Sequence, residues 1–137
     1  MNKKLWTAFV VVFIVYFLLD WLVNGVLLHS TYQALPAGLM RPEADIKMWI
    51  IIVCDLFYAF FFTLIFSKGF ENKGIMEGVR YGLYVALMVS LPMAYVTYAV
   101  QPIPYTLALQ WFLYGLVVNI ICGVVLSFMF KPKAAAA

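Results

Sequence analysis

Apolar residues in this chain come in four long, nearly unbroken runs, at about residues 5–28, 46–66, 75–100 and 105–130. Each run reaches the ~20 residues that a helix needs to cross a bilayer's hydrocarbon core. Strands of a membrane barrel would alternate apolar and polar positions with period two over ~10 residues. Continuous runs favour helices, which satisfy their own backbone hydrogen bonds where no water is available. The intervals between them are polar or turn-forming: a segment with Pro36, Gly38 and Pro42, the stretch 67–74, and Gln101-Pro102-Ile103-Pro104. Arg41-Pro42-Glu43-Ala44-Asp45 predicts the start of the second helix, with a proline and acids near its N-terminus. Lys131-Pro132-Lys133 predicts the end of the fourth. The expected fold class is all-α, an integral membrane bundle of four transmembrane helices in a single domain over residues 1–133. The run 134–137 reads as a vector-derived tail.

Charge supplies an orientation. Lys3, Lys4, Lys68, Lys73, Arg80, Lys131 and Lys133 fall on one side of the predicted spans, and only Arg41 and Lys47 on the other. The positive-inside rule then places both termini in the cytoplasm, which for a bacterial chain means the inner membrane. Trp21, Trp49 and Trp111 are expected toward the outer interface and Trp6 at the inner one, as an aromatic belt. Only 11% of the 137 residues are charged, against roughly 25% in a soluble domain. The basic residues form no clustered face, so nucleic acid is excluded as a partner. The first run is too long for a signal-peptide core and lacks a small-x-small cleavage site, so it reads as a first span. Cys54 and Cys122 both lie inside apolar runs and are expected as buried free thiols.

Against this background the polar residues inside the runs stand out. An ionisable side chain at the membrane centre costs ~2.5–3.5 kcal/mol on insertion scales and points to function by default. Asp20 lies roughly 24 Å past Lys4 at the helical rise, Asp55 roughly 20 Å before Lys68, Asn119 roughly 18 Å before Lys131, and Ser90 roughly 15 Å beyond Arg80. Four polar groups from four helices are therefore expected in one layer, with Asn24 one turn above Asp20 on the same face. No lysine or arginine at that depth can pair with the aspartates, which leaves a proton, a metal ion or a cationic substrate. The alternative is two neutral acids that hold the bundle together by hydrogen bonds.

Small residues predict which faces pack. Gly78, Gly82, Ala86, Ser90 and Ala94 recur every four residues on the third span, and Gly115, Asn119 and Gly123 do so on the fourth. Such ridges let helices approach closely. The Phe60-Phe61-Phe62 and Val10-Val11-Val12-Phe13 sides are expected to face lipid. Pro92 cannot donate a backbone bond and is expected to free the carbonyl of Met88, as a hinge or simply a kink.

Other chemistry is thinly represented. His29 is the only histidine, so bis-histidine haem ligation within one chain is excluded. It is a weak metal candidate with Glu43 or Asp45, against a plainer reading as a solvated interfacial side chain. No cofactor is expected. Neither a nucleophile elbow, a phosphate-binding loop nor a zinc motif occurs, so no hydrolytic or phosphoryl-transfer machinery is visible.

The Leu18-Leu19-Asp20-Trp21-Leu22 segment running to Tyr32, together with Tyr81-Gly82 and Trp111, resembles a family of small uncharacterised bacterial four-helix membrane proteins. The family's polar residues late in the third helix are replaced here by Tyr95-Val96-Thr97-Tyr98. The resemblance implies a four-helix bundle and no particular activity.

The leading expectation is binding or transport of a proton, a cation or a small ligand. Asp20 and Asp55 would respond to the ion, Asn24, Ser90 and Asn119 would be their neighbours, and Pro92 the hinge. A homo-oligomer is expected, since four helices make a narrow passage. The alternatives are an accessory subunit of a larger membrane complex, whose ridges would face a partner, and a lipid- or isoprenoid-binding protein or enzyme.

Overall fold

A computed structural model of the chain describes residues 3–131; Lys133 of the orienting set and the tail 134–137 lie outside the described residues. Four helices are long and apolar enough to cross a membrane: α1 (Lys3–Leu27), α2 (Met48–Gly69), α3 (Ile75–Val100) and α4 (Tyr105–Phe130). No strand occurs among the described residues. Large apolar side chains cover the outside, in i, i+4 rows such as Val10, Ile14 and Leu18 on α1 and Phe57, Phe61 and Ile65 on α2. Water would not tolerate such a surface, whereas lipid tails would, so the chain is a multi-pass membrane protein by the length and composition of its helices.

The second helix begins later than the proline and acids suggest. Glu43–Asp45 closes a separate 3-10 turn, Ile46 is extended, and α2 starts at Met48. Two other helices are irregular. The last six residues of α1, Leu22–Leu27, form a π-helix, followed by the short helix His29–Gln33. In α3 a π-turn, Ala86–Ser90, separates two α-helical segments. The Leu91 amide reaches back to the Ala86 carbonyl, and Pro92 falls in the first turn of the segment that follows. There its missing N–H is tolerated, so the widened turn absorbs the proline.

Lys4 Nζ donates to the carbonyl of Phe130 at 3.1 Å and lies 5.6 Å from the centre of its ring. The contact neutralises an orphan carbonyl at the end of α4. It also brings the start of α1 and the end of α4 together, at what we call the basic end. The α2–α3 turn is held by Glu77, which accepts from the backbone amides of Glu71 and Lys73 at 2.6 and 3.0 Å. Asn72 and Gly74 supply positive φ angles of 56° and 80° to reverse the chain.

In lipid, helices gain nothing from burying apolar surface against one another, so close packing must hold them. The tightest seam joins α3 to α4. A Cβ on Gly78 would collide with the Gly123 backbone, one on Gly82 with the Asn119 and Ile120 backbone, and one on Gly123 with the Gly78 carbonyl. Around this seam, toward the basic end, Leu5, Ala8, Val12, Phe62, Phe66, Leu126 and Phe130 form one core with Cys122. Val12 and Phe62 therefore face inward, not to lipid. Consecutive helical residues are 100° apart, so no run of three or four can share one face. Phe61 and Val10 do remain outside.

The far end is built differently. Leu28, Ile103, Leu107 and Ala108 make a smaller cluster, against which Leu35 and Leu39 of the loop after α1 are packed. Beyond Asp55, α2 takes little part: Met48, Trp49, Ile50, Val53 and Cys54 are all exposed. Cys54 is thus a surface thiol, and only Cys122 is buried.

Candidate intramembrane binding site

Where the halves meet, α1, α3 and α4 enclose a partly open cavity of about 130 Å³. Asp20 and Asn24 reach it from α1, Ser90 from α3 and Asn119 from α4, beside Tyr16, Trp111 and Tyr114. Three of the four polar residues expected to share a layer are thus brought together, with Asn24 beside them, and Asp55 is not among the lining residues. The π-helical stretches contribute directly, since Asn24 lies in one and Ser90 in the other. A π-turn rotates the following residues out of α-helical register, a device common at functional sites.

Two hydrogen-bond systems organise the walls. In the first, Trp111 Nε1 donates to the Tyr32 hydroxyl at 2.8 Å, and Tyr32 donates to Asn24 Oδ1 at 2.5 Å. Asn24 Nδ2 then donates to Asp20 Oδ1 at 2.9 Å and to the Asp20 carbonyl at 3.1 Å. An indole nitrogen can only donate. Every proton in the series therefore points toward Asp20. Burial pushes the Tyr32 hydroxyl above its ordinary range, with the Trp111 bond acting the other way, so at neutral pH it keeps the proton it donates.

In the second system the Tyr58 hydroxyl donates to Asn119 Oδ1, and Asn119 Nδ2 donates to the Gly115 carbonyl at 2.7 Å and to Ser90 Oγ at 3.3 Å. Gly115 has to be glycine here, because a Cβ would run into the Ser90 side chain. Tyr58 also stacks on Tyr16, with ring centres 4.3 Å apart.

Asp55 lies on α2, three residues before Tyr58. It is only 7% exposed, and its Oδ2 has no hydrogen-bond partner. Tyr16 lies within electrostatic reach of both Asp20 and Asp55, and of the two acids only Asp20 lines the cavity. Thr63, two turns along the same face of α2, is likewise buried with an unpartnered hydroxyl.

Trp111 turns inward to the cavity, whereas Trp21 and Trp49 are exposed. Tyr16, Tyr32, Tyr58 and Tyr114 were also missing from the expected site. Their one sequence signal was helical spacing: Tyr16 precedes Asp20 by one turn, and Tyr58 follows Asp55 by about one. His29 sits outside, with Nε2 3.0 Å from Gln33 Nε2. No cluster of three His, Cys, Asp or Glu side chains suited to a metal occurs among the described residues. A larger depression of about 520 Å³ beside Arg41, Asp45 and Lys47 is open and lined by exposed residues of the loop and the start of α2, and it gathers none of the buried polar groups. No family model, curated protein or solved structure matches the chain.

Proposed function

We propose that this chain is a small inner-membrane protein, with both termini cytoplasmic, that binds or translocates a proton, a cation or a small ligand at Asp20. The observation that carries this reading is the Asp20 carboxyl, oriented by a one-way series of donors, at the wall of a cavity among three helices. A residue kept only to tie helices together is expected in a filled contact. Asp20 instead bonds within its own helix and borders open volume. Asp55 adds to this: a buried polar atom with no partner calls for an explanation, such as a transient proton or ion. The π-turn ahead of Pro92 supports a bend in α3 beside the cavity.

The other readings draw less support. The glycine ridges of α3 and α4 pack against each other, so they offer no surface to a larger complex. A cavity of about 130 Å³ falls well below the ~300 Å³ of ordinary ligand pockets, and an isoprenoid would not fit. We further propose a homo-oligomer as the working unit, since four helices alone make a narrow passage.

The test is reconstitution of the purified protein in vesicles with an internal pH dye and an imposed potassium gradient, with binding measured in parallel. Asp20→Asn is expected to remove the ion- or ligand-dependent signal without shifting the unfolding midpoint. The site is refuted if both Asp20→Asn and Asp55→Asn fold normally and retain every flux and binding signal of the parent. A strictly monomeric mass in detergent and nanodisc would count against transport.

A further inference from the structure

The walls of the Asp20 cavity restrict what can occupy it. Its lining holds one carboxylate, no basic side chain, and the rings of Tyr16, Trp111 and Tyr114. An anion would meet a like charge and no counter-charge. A bare metal ion fares little better, because a hard cation such as calcium takes six to eight oxygens. Most of the oxygens here are already engaged: Asn24 Oδ1 accepts from Tyr32, Asn119 Oδ1 accepts from Tyr58, and Asp20 Oδ1 accepts from Asn24. Both amide nitrogens donate to protein oxygens and turn no lone pair to a guest. Ser90 Oγ accepts from Asn119 as well, which leaves Asp20 Oδ2 and the Tyr16 and Tyr114 hydroxyls, too few oxygens for such an ion.

An organic ammonium ion makes different demands. One carboxylate can balance its charge, and aromatic faces can solvate the methyl groups that carry that charge outward. Two of the three rings are held in place beforehand, Trp111 by its bond to Tyr32 and Tyr16 by its stack on Tyr58. The volume of about 130 Å³ corresponds to roughly four waters at ~30 Å³ each. That suits an amine bearing a few methyl groups and excludes long or bulky chains.

We propose that the cavity takes a small methylated ammonium ion, its charge held between the Asp20 carboxylate and the rings of Tyr16, Trp111 and Tyr114. The inference rests on the site reading above and narrows its ligand class.

The experiment is calorimetric titration of the full chain in nanodiscs with tetramethylammonium chloride, whose charge no pH change can remove. Sodium and potassium chloride serve as competitors, and the vesicle proton assay runs alongside. We expect saturable binding that a large excess of sodium or potassium does not displace. Asp20→Asn should weaken it by about tenfold or more, the equivalent of one lost charge contact. Trp111→Leu should weaken it comparably, while Trp111→Phe, which keeps a ring, should largely restore it; Tyr114→Leu provides a second aromatic variant if Trp111→Leu fails to fold. Absence of tetramethylammonium binding, with Asp20-dependent proton or alkali-ion signals intact, overturns the ammonium assignment and leaves the site reading standing. Absence of all these signals overturns both. Binding that needs Asp20 but is indifferent to Trp111→Leu and Tyr114→Leu overturns the aromatic cage.

Discussion

Between the basic end and Asp55, all four helices contribute to one core and the α3–α4 seam brings backbone against backbone. Toward the far end, α2 stands apart, α1 and α3 carry π-helical turns, and a loop fills in where a helix would otherwise pack. Both halves draw on the same residue types. The difference lies in side-chain size at the contacts: Gly78, Gly82 and Gly123 permit close approach in one half, whereas Trp111 and Tyr114 fill the contacts beside the cavity in the other. In a solvent as apolar as the protein, large side chains at an interface leave room and small ones remove it. The cavity falls where small gives way to large.

The strongest test of this contrast compares two glycines. Gly78→Ala places a methyl group into the Gly123 backbone and should cost about 3 kcal/mol or more, the upper end for overpacking. Gly25→Ala meets only the Trp21 ring, at 3.3 Å, and a side chain can move, so about 1 kcal/mol or less is expected. Unfolding midpoints in detergent measure both, and equal losses would erase the distinction between the halves.

Next in size is the boundary itself. Asn119→Leu strands the Tyr58 hydroxyl and removes the bond to Ser90, for a loss of about 1–2 kcal/mol. Asn24→Leu, in the looser half, should cost nearer ~0.6 kcal/mol, the mean for interhelical polar contacts in a membrane, while impairing ligand binding more. The reverse ranking in paired denaturation and binding curves would mean that the far end, not the seam, holds the bundle.

Smaller still is Thr63→Val. It removes a buried hydroxyl that has no partner, so stability should hold or rise by up to ~1 kcal/mol; a clear drop would reveal a hidden partner for Thr63. The least effect is expected at the surface. Lys73 Nζ lies 2.5 Å from Glu71 Oε2, and its hydrogen bond and charge hold the Glu71 carboxyl below the usual carboxylate range. A lowered folded value means that any stability from the pair is present above the ordinary carboxylate range and fades as pH falls through the lowered one. Lys73→Ala should leave the midpoint at neutral pH nearly unchanged, because exposed pairs contribute little. A large shift, or one that grows on acidification, would contradict this.

Much of the scaffold was legible in the residue pattern. Four apolar runs correspond to four helices, and the four-residue recurrence of Gly78, Gly82, Ala86, Ser90 and Ala94 marks a face that is indeed buried. Counting helical rise from the flanking charges also anticipated that Asp20, Ser90 and Asn119 would lie at similar depth. The aromatic members of the site were not legible, because tyrosine and tryptophan suit a lipid interface and a cavity wall equally well. Trp111 illustrates the ambiguity: its spacing fits the belt, and only the Tyr32 hydroxyl explains why it turns inward.

The sequence by itself determined the number of helices, their apolar character and the presence of polar groups near mid-span. Those follow from length, hydropathy and the 1.5 Å rise, which are local properties of the chain. Tertiary structure decided which polar groups meet. Asp20 borders a cavity, while Asp55 is buried outside its lining. That choice depends on the rotation of each helix about its axis and on the π-turns that reset it, and neither is written in the spacing of any one span.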